Sequence, residues 1–251
     1  MKKFTLILIM TFSYSIAYSA IITVDNKTPS IGQYKTLQDA NDAANDGDTL
    51  YVCPSESVYP AAIINKKLTI IGTGHSRPGE RLSTTTISGS MQFDEGAEGS
   101  ALKGFGGYFA VIINSDDITI QKNRIKTIAV NENHKGTAIL QNYINYSSDK
   151  ITLLKINNNN EVFVANNIFW NKRGCAIDAS SSTITITIIH NVIATNNYIN
   201  FNYSNIYFAN NIIISGGFSG GMIKSLSDNL ALIIVSANNQ FLFPPILTNK
   251  L

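Results

Sequence analysis

The chain has 251 residues and a mass of 27.4 kDa, long enough for one large domain, and no break in composition marks a linker to a second. Only 14% of its residues are charged and the formal net charge is +2, which, with no basic run, excludes nucleic-acid binding as a working expectation. No global field is available to steer a charged partner either.

In chain order, residues 1–19 read as a secretory signal peptide: Lys2 and Lys3, the apolar run Phe4 to Phe12, then the small-residue pattern Ala17-Tyr18-Ser19, with cleavage expected after Ser19. Lys2 and Lys3 leave with it, so a neutral mature protein is expected. No later apolar run approaches the length that spans a bilayer. The expectation is an exported protein, secreted, at the cell surface or periplasmic, whose residues 20–251 form a single domain without a transmembrane segment.

A short strand is expected at Ile21 to Asp25. Residues 34–47 then hold a helix, with Leu37, Ala40, Ala43 and Ala44 at helical spacing, Thr36 as N-cap and Gly47-Asp48 as the stop. One helix followed only by strands suits a cap on a stack, whose first layer would otherwise expose apolar side chains and unpaired backbone groups. A β run begins at Thr49 to Val52 and continues through Leu68 to Ile71, and from Thr84 onward almost every apolar segment is short and β-branched, separated by Gly, Asn and Ser clusters that read as turns.

Between Ile118 and Phe241 an eight-residue pattern recurs. Asn123, Asn142, Asn167, Asn191, Asn211 and Asn239 are each followed two positions later by Ile or Phe, and preceded at three and five positions by residues that are apolar except for Ser236 and Thr137. The steps between these asparagines are 19, 25, 24, 20 and 28 residues, the period of a solenoid whose units stack instead of closing a globule. The amides are expected in file at one corner above an interior of Ile, Val and Phe, since a buried unpaired amide costs about 1 to 3 kcal/mol. Asn197 also fits the pattern six residues after Asn191, so one of the two belongs at another corner.

Two repeat folds share such a file. A leucine-rich-repeat-like solenoid is the alternative, but it asks for an aliphatic residue eight positions before each asparagine, where this chain has Ser115, His134, Asn159, Thr183, Tyr203 and Ala231. Second strands within each unit, such as Ile151 to Ile156, favour a coil. The segments TLQDANDAANDGDTLYV and INKKLTIIGTG, with GSALKGFGG at 99–107 and the Asn-Asn pairs at 166, 196, 210 and 238, resemble the right-handed parallel β-helix proteins of the pectate and pectin lyase-like superfamily. That resemblance implies an all-β right-handed parallel β-helix of about eight coils, an extracellular setting, and often carbohydrate; it implies no particular reaction. A disulfide between Cys53 and Cys175 is not expected, because at least four coils, about 19 Å, separate them.

The same resemblance says where chemistry would lie. Active members use calcium-binding aspartates with a basic residue, or paired aspartates. Asp116-Asp117 and Arg124-Ile125-Lys126 resemble parts of the polygalacturonase signature, but the NTD and GHG elements are missing, and adjacent strand residues face opposite ways, so Arg124 and Lys126 read as a solvated face beside inward Ile125. The remaining aspartates are scattered, the three histidines lack metal spacing, and Gly216 to Gly221 and Gly72-Thr73-Gly74 read as turns. No catalytic residue, metal ligand or cofactor is assigned. Aromatic residues beside the inward positions, Tyr143, Phe163, Trp170, Tyr198, Phe201, Tyr203 and Tyr207, offer flat rings to sugars, and Trp170 with Arg173 and Asp178 is the candidate polysaccharide-binding group.

The functional expectation is an exported, non-catalytic module that binds or is presented to polysaccharide. A lyase or hydrolase of a pectin-like polymer and a structural stalk or adhesin are the alternatives. At the C-terminal end, Phe241 to Leu251 is expected either to fold across the last coil or to mark a shortened relative of longer proteins.

Overall fold

The computed structural model describes residues 19–74, 84–146, 150–158, 161–171, 173–179, 184–195, 199–200 and 205–215. Residues 1–18 of the signal-peptide reading, Asn197, Asn239, the glycine cluster 216–221 and the C-terminal residues 241–251 lie outside them, as do His75, Tyr198, Phe201 and Tyr203.

Every named strand pairs in parallel, and the strands form a nine-stranded, a six-stranded and a five-stranded sheet, with a further pair between Tyr59–Pro60 and Ile87–Ser88. Successive strands of one sheet come from successive turns of the chain, so the architecture is a parallel β-solenoid of about 7 turns among the described residues. Three sheets around one core rule out the leucine-rich-repeat alternative, which has a single sheet.

The eight-residue pattern is the corner between two sheets. Thr119–Gln121 lies in the nine-stranded sheet and Arg124–Ile125 in the five-stranded one, with Asn123 between them. Ile118, Ile120 and Ile125 all point inward and are fully buried. The next turns repeat this with Ile139 and Ile144, then Val162, Val164 and Phe169, then Ile186, Ile188 and Ile193, then Ile206, Phe208 and Ile213. Each such side chain contributes about 1.5 to 3 kcal/mol by leaving water.

The asparagines stand in file. The backbone N–H of Asn123 donates to Asn142 Oδ1 at 3.0 Å, that of Asn142 to Asn167 Oδ1 at 2.8 Å, that of Asn167 to Asn191 Oδ1 at 2.8 Å, and that of Asn191 to Asn211 Oδ1 at 2.9 Å. Each Nδ2 also donates to a carbonyl one turn back, as Asn167 does to Ile139 at 2.8 Å. Phe105 N–H opens the file by donating to Asn123 Oδ1 at 2.9 Å. Five of the six expected asparagines therefore form one buried column, and Asn191 holds the place contested with Asn197.

The residue before each asparagine turns the corner in the left-handed region: Lys122, Gln141, Asn166, His190 and Asn210 all have φ between 54° and 57°. Gly104 takes the equivalent place one turn earlier, at φ 75°. His190 is exposed, as expected of a residue beside an inward-packed asparagine.

The helix is shorter than residues 34–47. It spans Leu37–Ala43, with the Thr36 hydroxyl accepting from Asp39 N–H at 3.1 Å. Ala44 is already extended, and Asp48 ties down the turn that follows by accepting from Asn45 N–H at 2.9 Å. Ala43, expected inward, is exposed, and Asn41 is buried in its stead because Asn65 Oδ1 accepts from its amide at 2.9 Å. Cys53 and Cys175 are free and buried; Cys53 follows Thr49–Val52 of the nine-stranded sheet and Cys175 lies between the five- and six-stranded sheets five turns later, roughly 24 Å along the stack. Burial pushes the Cys175 thiol up to about 12 and raises that of Cys53 as well.

Candidate functional site

The outer face of the five-stranded sheet gathers cations, flat rings and unpartnered polar atoms. In a strand, neighbours of an inward residue point outward, so buried Ile125, Ile144 and Phe169 put Arg124 and Lys126, Tyr143 and Asn145, and Ile168 and Trp170 on this face. Register then sets the contacts. Arg124 pairs with Tyr143 and Tyr143 with Ile168, while Asn145 pairs with Trp170 and Trp170 with Ala194. Asn123, Asn142 and Asn167 immediately precede Arg124, Tyr143 and Ile168, so the buried amide file fixes the register of this surface.

Arg124 is clamped. Its guanidinium carbon lies 5.3 Å from the ring centre of Tyr108 and 5.9 Å from that of Tyr143, and Nη2 donates to the Tyr108 hydroxyl at 3.1 Å. Lys126 Nζ lies 4.3 Å above the Tyr146 ring. Such cation–ring contacts contribute about 0.5 to 1 kcal/mol at exposed sites and hold the cations in place. Among the described residues neither cation has a carboxylate partner. Arg124 Nε and Asn145 Oδ1 are buried without a hydrogen-bond partner, although almost all such groups in folded proteins have one. Beside Asn145 stands Trp170, 46% exposed.

Of the residues singled out from sequence, Trp170 belongs to this face, but Arg173 and Asp178 do not share its sheet. Arg173 is an exposed turn residue whose backbone N–H donates to Asn171 Oδ1 at 3.1 Å. Asp178 lies on the six-stranded sheet, in register with Lys155, and accepts from Asn200 Nδ2 at 3.1 Å. The three thus project from different parts of the coil. Asp116 and Asp117 sit in the turn before the nine-stranded sheet and Arg124 after it, so this set does not converge on one face either. Asp116 is occupied locally, with His134 Nδ1 at 3.3 Å and Lys135 N–H at 3.0 Å.

From sequence, Arg124 and Lys126 read only as a solvated face, and Asn145 is not singled out. A run of outward residues two apart, each with an aromatic one turn away, was the available signal, and it becomes legible only once the inter-turn register is known.

Comparison with protein-family models, with curated proteins and with solved structures finds no match. No helix among the described residues is long and apolar enough to cross a membrane.

Proposed function

We propose that this chain is an exported, non-catalytic module that binds polysaccharide on the outer face of its five-stranded sheet. The observation that carries this reading is the grouping of two cations without carboxylate partners among the described residues, Arg124 and Lys126, with the exposed rings of Tyr108 and Trp170 and with Asn145 in register beside Trp170. A sugar presents hydroxyls together with a flat C–H face, and it would stack on an exposed ring while its hydroxyls bond the outer edge of the Arg124 guanidinium and the Lys126 ammonium. The uncompensated charges of Arg124 and Lys126 make the face compatible with carboxylated sugars. On this reading the solenoid winds in the right-handed sense of the pectate and pectin lyase-like proteins that its N-terminal segments resemble.

Affinity gel electrophoresis with embedded acidic and neutral polysaccharides tests it. Retardation of the wild type by the acidic polysaccharide should be lost in Trp170→Ala and Asn145→Ala with an unchanged circular dichroism melt. Full retardation in both variants would remove this face from consideration, whereas release of unsaturated, ultraviolet-absorbing products would point to a lyase.

A further inference from the structure

The nine-stranded sheet carries a hollow separate from the face of the five-stranded sheet. Its floor is Gly136 and Ala138 and its wall is Phe163, with Thr185, Thr187 and Glu161 around it. Register explains the shape: Ala138 pairs with Phe163, Phe163 with Thr187 and Thr187 with Tyr207, so one outward column reads small, ring, hydroxyl, ring. Phe163 is 40% and Tyr207 46% exposed, two strand spacings or about 9.6 Å apart. Glu161 pairs with Thr185 in the neighbouring outward column, and among the described residues no ion pair engages its carboxylate. The Asp117 carboxylate takes the space that a Cβ at Gly136 would fill, which brings a second acidic group to the edge of the hollow.

We infer that this hollow seats one neutral pyranose unit of a polysaccharide, making the module bivalent if the five-stranded face also binds. The inference rests on the polysaccharide reading but not on that face. Rings at the wall and at the far end of the column offer stacking surfaces for the C–H face of a sugar, Glu161 accepts from its hydroxyls, and Thr185 and Thr187 can donate or accept. The carboxylates of Glu161 and Asp117 disfavour an acidic sugar here, in contrast to the Arg124 and Lys126 face. A flexible polymer engaged at two faces of one rigid stack gains avidity, and two polymers so engaged become cross-linked.

The test uses the mature chain with a soluble neutral glucan and with polygalacturonate, read by affinity electrophoresis and light scattering. In a Trp170→Ala background, residual retardation by the neutral glucan should fall at least tenfold on adding Phe163→Ala or Glu161→Gln. Glu161 is exposed at a strand start, so the Gln variant tests the seat without risk to the fold. Wild type should raise scattering of the neutral glucan, and Phe163→Ala should abolish the rise while leaving retardation by polygalacturonate intact. Unchanged glucan affinity in both Phe163→Ala and Glu161→Gln would overturn the seat whatever Trp170→Ala does. Loss of all binding in Trp170→Ala alone would also overturn it while upholding the five-stranded face. A wild type retarded by neither polymer would overturn both readings.

Discussion

Two columns of amide side chains run along this solenoid, and they differ in burial, wiring and direction. The corner file from Asn123 to Asn211 is buried to 2% exposure or less, and each step carries two bonds, from a backbone N–H and from an Nδ2, to one Oδ1. The other column follows the six-stranded sheet: Asn157 Nδ2 donates to Asn131 Oδ1 at 3.2 Å, Asn131 Nδ2 to Asn114 Oδ1, and Asn114 Nδ2 to Asp94 Oδ1 at 2.7 Å. It is half-buried, each step has one side-chain bond, and its donors point toward the N-terminus while those of the corner file point toward the C-terminus. It ends on Asp94, a carboxylate that only accepts and therefore closes the chain without an orphan donor. Chemistry is shared, but only the corner file ties main chain to side chain in the dry interior. That file sets the register of the proposed polysaccharide face.

The largest expected effect tests this difference. Asn167→Ala removes the partner of Asn142 N–H and of the Ile139 carbonyl where water cannot substitute, so it should cost about 3 to 5 kcal/mol, or soluble expression altogether. Asn114→Ala, where water can replace the lost amide, should cost about 0.5 to 1.5 kcal/mol. Urea melts of the two variants decide the point; equal losses would make burial irrelevant and break the contrast.

The same difference explains what could be read from sequence. The corner file was legible because each asparagine is flanked by inward apolar residues at fixed offsets, a pattern only burial on both sides imposes. The second column was not. Its members follow an apolar residue, as in Phe93-Asp94, Ile113-Asn114 and Ile156-Asn157, but their separations of 20, 17 and 26 residues follow the turns, and a half-exposed Asn or Asp after a strand is what any turn looks like. At the site, Trp170 was legible as an exposed ring. Its grouping with Arg173 and Asp178 assumed that nearness in sequence meant a shared face, whereas a coil passes from one sheet to another within those residues. Arg124 and Asn145 meet their neighbours only across turns.

A smaller effect concerns a buried polar group outside either column. Thr137 takes the inward position held elsewhere by Ile118, Val162, Ile186 and Ile206; it is 1% exposed, and its hydroxyl has no partner. Thr137→Val keeps the shape and removes the unpaired group, so it should raise stability by about 1 kcal/mol in thermal melts. A loss would mean that the hydroxyl is satisfied after all.

The smallest expected effect lies at the corner turns that feed the buried file. Lys122 holds φ 56° with an exposed side chain, a conformation costing a non-glycine residue about 1 to 2 kcal/mol, while glycine gives back about 0.5 to 1 kcal/mol through the greater freedom of its unfolded chain. Lys122→Gly should therefore stabilise by about 0.5 to 1 kcal/mol, as Gly104 already does for the turn before. Asn166→Gly should gain nothing, because asparagine enters this region at little cost. A gain at 122 without one at 166 locates the strain in the backbone of the corner; equal gains at both would assign it to the side chains, and the asparagine file would then be holding its turns against crowding instead of against an unfavourable φ.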